Sequence, residues 1–400
     1  MSKILCDFRF LLLLAAAAFI YIQMRLFATQ SEYADRLAAA VESENHCTSQ
    51  MRLLIDQISM QQGRIVALEE EKNRQDEVCG QLKALVQDLE RKGLQRLIDK
   101  VQDGSDPNVR SKALSYDQLT YMQHLDNEPV HTESPGELIA YYKIARHYKW
   151  AMDELFYKHN FSRVIILEDD MEIAPDFFEY FEAAAALLDN DKSIMAVSSW
   201  NDNGQKQFVH DPTVLYRSDF FPGLGWMLSR ATWNELSPKW PKAYPCWLKE
   251  NHKGRQFIRP EVCRTYNFGE HGSSLGQFFK QYLEPIKLND VKVDWKSMDL
   301  SYLKEDKYTK YFAELVKNAK SVHGADAVLK AYNIDGDVRI QYQDQLDFER
   351  IARQFGIFYE WKDGIPRTAY KGVVVFRHQT PRRIFLVGPD SLRQLGIESA

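Results

Sequence analysis

The stretch RVIILEDDMEIAPDFFEYF, Arg163–Phe181, constrains the fold of this chain more than any other. Val164, Ile165, Ile166 and Leu167 form an unbroken apolar run, the pattern of a strand buried on both faces. The run leads directly into Glu168, Asp169 and Asp170. Ala174, Pro175 and Asp176 then open an alanine-rich segment that reads as a helix from Ala174 to Leu188. Upstream, Gly136 to Asn160 has helical periodicity; downstream, SIMAVSSWNDNG, Ser193 to Gly204, reads as a strand ending in a loop. Helix, strand, helix, strand is the order of an α/β sheet covered on both sides. In such sheets ligands bind beyond the carboxyl ends of the strands, and the three carboxylates stand at such an end.

Three like charges at one strand tip repel each other unless a cation joins them. Oxygen-only ligands suit a hard ion such as magnesium or manganese. Such an ion would hold nucleotide phosphates and neutralise charge on a leaving diphosphate. The plainer alternative is that the acidic residues only cap the helix that MEIAPD leads into. The residues alone leave both readings open.

The rest of the 400-residue chain divides by composition. Phe10 to Ile22 is apolar without a break, with Lys3 and Arg9 before it and Arg25 after it. The run is shorter than the ~20 residues of a standard span. It suits an uncleaved signal anchor over 10–24, with residues 1–9 as a cytoplasmic tail; a cleaved signal peptide is the alternative. The remainder would lie in the lumen, where Asn160-Phe161-Ser162 is a glycosylation tripeptide. Residues 25–102 form a polar stem. Met51, Leu54, Ile58, Gln61, Ile65, Leu68, Lys72, Gln75, Cys79, Leu82, Val86 and Leu89 recur at alternating spacings of three and four. That repeat predicts a coiled coil with a second copy, weakened at Gln61, Lys72 and Gln75; a lone solvated helix is the alternative. Cys79 on the seam would cross-link two chains in an oxidising lumen. Cysteines 6, 47, 79, 246 and 263 fit neither a zinc spacing nor a disulfide framework. A net charge of −5 without a long basic block argues against a nucleic-acid surface. The last segment, 326–400, reads as a small α/β unit: DVRIQY, GVVVFR and RRIFLVG as strands, QLDFERIARQFGIF as an amphipathic helix. It carries no catalytic constellation and is expected to pack on the main domain, 103–325.

VIILEDDMEIAPDFFEYF, SSWNDNG, YRSDFFPGLGWML, PKWPKAY and TYNFGEHGSSLGQFF together resemble glycosyltransferase family 13, the N-acetylglucosaminyltransferase I family, in its plant wording. The likeness runs from about residue 103 to 400. It implies a nucleotide-sugar-binding α/β domain of the GT-A type on a type II Golgi membrane protein, with the catalytic part lumenal. The implied donor is UDP-N-acetylglucosamine and the implied metal is manganese (Mn2+). The implied acceptor is the α-1,3-linked mannose of the five-mannose N-glycan on glycoproteins. A β-1,2 linkage results, so the anomeric centre inverts in one displacement with a base taking the hydroxyl proton. By the resemblance Asp170 is the direct metal ligand, Asp169 binds the donor and Glu168 completes the triplet. Asp103 contacts the nucleoside and His147 lies in the uridine pocket. Ser274, between Gly272 and Gly276, belongs to a loop that closes over the diphosphate.

The chain departs from the family at two places. The family's base is an aspartate in Trp-Asp-Asp-Trp; here Pro245 and Cys246 stand at that point, in PKAYPCWLKENHK, so the catalytic residue is unassigned. Family domains also open with an apolar strand, an arginine and a helix, and between Val101 and Val164 no apolar run supplies that strand. Both gaps are what a spliced or mis-assembled message would leave. Three functions follow in order: an active transferase; a catalytically impaired variant that binds donor or associates with full-length subunits through the stem; and a purely structural Golgi tether.

Overall fold

The computed structural model describes residues 11–33, 36–38, 41–42, 50–51, 55, 58–63, 65–66, 69, 72–74, 80, 99–117, 119–133, 137–243, 251–270, 276, 278–330 and 335–397, and of 99–103 the backbone alone. Two compact units result, Met1–Lys72 and Asn73–Ala400.

In the first unit the N-terminal helix α1 (Leu11–Ala38) is long and apolar enough to cross a membrane, and its described residues are exposed. It runs well beyond the expected 10–24. Past the apolar run it is supported by polar pairs one turn apart: the Thr29 hydroxyl donates to the Arg25 carbonyl at 2.8 Å, and Arg36 pairs with Glu32 at 2.7 Å. Of the stem seam, Met51, Ile58, Gln61, Ile65 and Lys72 are helical, and the three apolar ones are each more than half exposed. Both a seam facing a second chain and a lone helix have that exposure. Leu54, Leu68, Gln75, Cys79, Leu82, Val86, Leu89 and the tail 1–9 lie outside the described residues.

The second unit opens with β1 (Asp99–Asp103), α2 (Pro107–Leu114) and β2 (Thr120–His124). The two strands pair in parallel, with Asp103 opposite His124. Asp106 caps α2: its Oδ1 accepts from the Asn108 and Val109 amides, ahead of Pro107 at the first helical position. There follow α3 (Ile139–Asp153), β3 (Arg163–Ile166), β4 (Met171–Ile173), α4 (Phe177–Asn190), β5 (Ile194–Ser198), β6 (Leu215–Ser218), β7 (Trp226–Ser229), α5 (Arg230–Leu236), β8 (Gln256–Pro260) and β9 (Thr265–Asn267). The central sheet has five strands in the order β3-β7-β5-β8-β6. β5 and β8 are parallel and the other neighbours antiparallel.

β5 shows how this sheet is covered twice, with a register irregularity between Ile194 and Ala196 that breaks strict alternation. Ile194 and Val197 enter one apolar cluster with Phe177, Phe181, Ala184 and Leu188 of α4. Met195 and Ala196 enter another, with Met152 of α3, Phe156, and Trp233 and Leu236 of α5. The mixed α/β layering expected from the sequence is therefore what forms. β3 differs from its expectation of burial on both faces: only Val164 is buried, Ile165 and Ile166 are half-buried, and β3 ends the sheet, with no strand pairing with its outer edge among the described residues. β1 and β2 form a sheet of their own.

The expected strands and helix of the C-terminal part appear at Val338–Gln341, Val373–Arg377, Arg383–Val387 and Gln345–Phe355. Their sheet takes a fourth strand, Lys320–Val322, from before residue 326. One face of this sheet, through Val373, Val375, Phe385 and Val387, shares the apolar cluster that contains Phe177 and Phe181. The helix Glu305–Asn318 joins them by Tyr308, Phe312 and Val316. This part is a wall of the main core.

Candidate active site

β3, β5 and β8 point the same way, since β3 and β5 each run antiparallel to β7 and β8 runs parallel to β5. Their carboxyl ends deliver Leu167–Asp170, Ser199–Gly204 and Glu261–Arg264 to one side of the sheet. β7 runs the other way, so its lead-in, Gly223–Gly225, arrives there too. These loops are laced together. The Ser199 amide donates to the Gly225 carbonyl at 2.8 Å and the Arg264 amide to the Ser199 carbonyl at 2.7 Å. The Thr265 hydroxyl donates to the Leu224 carbonyl at 2.7 Å. Gly225 has φ +92°, and any side chain there would overlap the Ser199 hydroxyl.

The acidic tip is set by a short ladder between β4 and β9, in which Met171 faces Asn267. One residue beyond that register, the Phe268 amide donates to the Asp170 carbonyl at 2.9 Å. This brings Gly269 against the Asp170 carboxylate so closely that a Cβ on Gly269 would overlap Oδ2. Oδ1 of Asp170 is buried. Asp169 is exposed. Glu168 is also exposed by surface area, and it accepts a hydrogen bond from the Tyr148 hydroxyl at 2.8 Å. Protein mass crowding its carboxyl group removes hydration. That desolvation, with the charges of Asp170 and Asp169, pushes its pKa up to about 7 against the opposing Tyr148 bond.

The helix-capping alternative fails on geometry. β4 separates the triplet from α4, and the residue at the α4 cap, Asp176, makes no side-chain capping bond. Asp176 is instead fully buried. Its Oδ2 accepts from Arg264 Nη2 at 3.1 Å and from Trp295 Nε1 at 2.7 Å, and its Oδ1 from Asn289 Nδ2 at 2.8 Å. That network anchors the end of the β4–β9 ladder away from the triplet, where the Ala174 amide donates to the Arg264 carbonyl at 2.9 Å.

Of the other predicted residues, His147 lies on α3 next to Tyr148. Its Nδ1 is 3.3 Å from Nδ1 of His124, and its ring lies within 6.2 Å of Trp150. Asp103 stands opposite His124 in the β1–β2 ladder, so its backbone is in the His147 neighbourhood. The Asp103 side chain, Ser274, Pro245 and Cys246 lie outside the described residues. One helix thus carries both His147 and the hydroxyl that meets Glu168. Tyr148, Gly269 and the Asp176–Arg264 pair escaped the sequence reading. The only trace of Tyr148 was its place beside His147, and nothing in NFGE marks Gly269.

A divalent cation at the tip would meet a hard, oxygen-only donor set. Among the described residues no three acidic, histidine or cysteine side chains converge on one point. The site therefore does not fit a cage built wholly from protein. It fits an ion held by one or two carboxylates, with phosphate oxygens and water completing its shell. The absent side chain at Gly269 leaves Asp170 room to take that part.

The sequence profile of the GNT-I family matches residues 13–102 and 98–399 of the chain. An Arabidopsis thaliana protein named alpha-1,3-mannosyl-glycoprotein 2-beta-N-acetylglucosaminyltransferase is 68% identical, with 100% of each chain covered. That alignment is 444 positions long against the 400 residues here, so the relative has residues without a counterpart in this chain. The family match comes as two segments that overlap at residues 98–102, largely within β1. With nearly its whole length matched on both counts, the chain belongs to the GNT-I family.

Proposed function

We propose that the chain is a Golgi transferase that moves N-acetylglucosamine from UDP-N-acetylglucosamine onto the α-1,3-mannose arm of the five-mannose N-glycan. The linkage formed is β-1,2, and the step begins hybrid and complex N-glycans. The observation that carries this reading is the Asp170 carboxylate beyond β3, with Oδ1 buried and Oδ2 against Gly269. Family membership and the name of the Arabidopsis relative support it.

Asp170 is the residue to hold manganese, with Glu168 and Asp169 beside it toward the donor. When bound, the ion neutralises charge that collects on the departing UDP. His147, flanked by the flat rings of His124 and Trp150, presents a stacking surface for uridine, and Asp103 belongs to the same pocket. Ser274 belongs to the loop over the diphosphate. The acceptor hydroxyl bonds to the anomeric carbon as the bond to UDP breaks, which inverts that carbon and requires a base for the proton. α1 is the anchor of a type II protein, and the stem pairs with a second copy. The test is the full chain in detergent with donor, manganese and a five-mannose acceptor: a β-1,2 product, lost in Asp170→Ala, is the expected result.

A second reading has its own observations. The central sheet stops at β3, β1 and β2 form a separate sheet, and the family match divides into two segments at β1 in a chain shorter than its alignment. A sheet lacking a strand beside its ligand crevice would bind donor weakly, and Pro245 and Cys246 offer no carboxylate to the acceptor. In that case the chain takes up UDP with manganese and forms no product, while a version with Trp-Asp-Asp-Trp restored recovers turnover. A chain that takes up no UDP is a tether only.

A further inference from the structure

We infer that Tyr148 is a positioning residue for the cation site, acting through Glu168. The inference rests on the reading above that the acidic tip takes manganese with UDP. Glu168 has a long, flexible side chain at an exposed turn, next to two further carboxylates. Left to itself it would spread over several rotamers, driven from Asp169 and Asp170 by like charge. Tyr148 removes that freedom. Its hydroxyl donates to Glu168 Oε1 at 2.8 Å. Its ring lies over Trp226, 6.4 Å between centroids and 15° from parallel. Trp226 is the ladder partner of Ile166, two residues before Glu168. The platform that holds Tyr148 is therefore built on the strand pair that delivers Glu168, and the two cannot drift apart without opening the sheet edge.

The hydroxyl thus engages one oxygen of the Glu168 carboxyl group and holds that group in one place near Asp170. Groups that orient a metal site from behind its direct ligands are typically worth 10- to 100-fold in metal affinity. Phenylalanine at 148 keeps the ring and its stack and removes only the donor.

The experiment is calorimetry on the full chain in detergent, titrating UDP at a series of manganese concentrations. For Tyr148→Phe the half-saturating manganese should rise about tenfold, with the metal-free UDP affinity and the thermal unfolding midpoint unchanged. Glu168→Ala should raise it at least as far, and the double variant no further than Glu168→Ala alone, because Tyr148 acts through Glu168. Independent, additive losses overturn the inference. So does a Tyr148→Phe protein that titrates like the wild type, or one that loses metal-free UDP affinity in the same proportion. Those results leave the proposed function standing; a wild-type protein that takes up neither manganese nor UDP overturns both.

Discussion

Gly269 leaves the space that the proposed role of Asp170 as a metal ligand needs. Its φ is ordinary, so alanine there meets no backbone strain; it meets the Asp170 carboxylate. Gly269→Ala should weaken manganese-dependent UDP binding at least about tenfold, or ~1.4 kcal/mol, while the unfolding midpoint stays near that of the wild type; calorimetry and a melting curve check the two halves. Glu168 gives a pH signature. Its folded value near 7 stands above the ordinary 4.5 of the unfolded chain. Between those values the folded protein holds the proton more tightly. The cost to stability is absent below the lower value, grows as pH climbs, and is complete once the folded value is passed. Glu168→Gln cannot ionise, so in metal-free buffer it should melt above the wild type at about pH 8, and the gap should close as the pH is lowered. Melting curves across that range that stay parallel would contradict it. Cys263 is fully buried, its thiol pushed up to about 12 mainly by loss of hydration. It should resist alkylation in the native protein and react on unfolding. The acidic triplet was legible in the sequence because its members are contiguous. Tyr148 and Gly269 were not, because each meets the triplet only through a sheet register or a helix face that the chain must fold to create.

At the scale of elements, the pair Asp176–Arg264 ties the start of α4 to the loop between β8 and β9. Both side chains are fully buried, and Arg264 also lies 4.9 Å over the Trp295 ring. Removing one member leaves a buried charge uncompensated. Arg264→Met should therefore cost about 3–5 kcal/mol in denaturant unfolding, and a loss below ~1 kcal/mol would show that water or Asn289 suffices. The elements themselves were largely readable. Gln345–Phe355 alternates apolar and charged residues at helical spacing, is capped by Asp344 accepting from the Asp347 amide, and stops at Gly356 with φ +85°. β5 showed as a dense apolar run because both its faces are covered. β3 carries a similar run and yet is mostly half-buried at the sheet edge, since an apolar run does not say how many neighbours will cover it. Lys320–Val322 escaped notice because it is short and mostly exposed, and pairs only along one side. Strand direction is invisible in one sequence, so the antiparallel β7 between β3 and β5 had no signal at all.

For the whole molecule, α1 carries the membrane expectation. Deleting residues 1–38 should move the protein from the carbonate-resistant membrane fraction to the soluble one; a full chain already soluble would remove the anchor from the account. The C-terminal segment behaves differently from an appendage. Val373, Val375 and Phe385 stand in one apolar cluster with Phe177, Phe181 and Leu188 of α4. Arg377 makes a two-pronged ion pair with Glu261, just past β8. Deleting residues 326–400 should abolish cooperative unfolding of what remains, which a melting curve of the truncated chain reads directly. Since the tail furnishes part of the packing on which α4 rests, recombination has no clean seam at which to exchange it. A chain that ended before these residues, or carried another protein's ending in their place, would leave the apolar face of α4 without the partners it packs on.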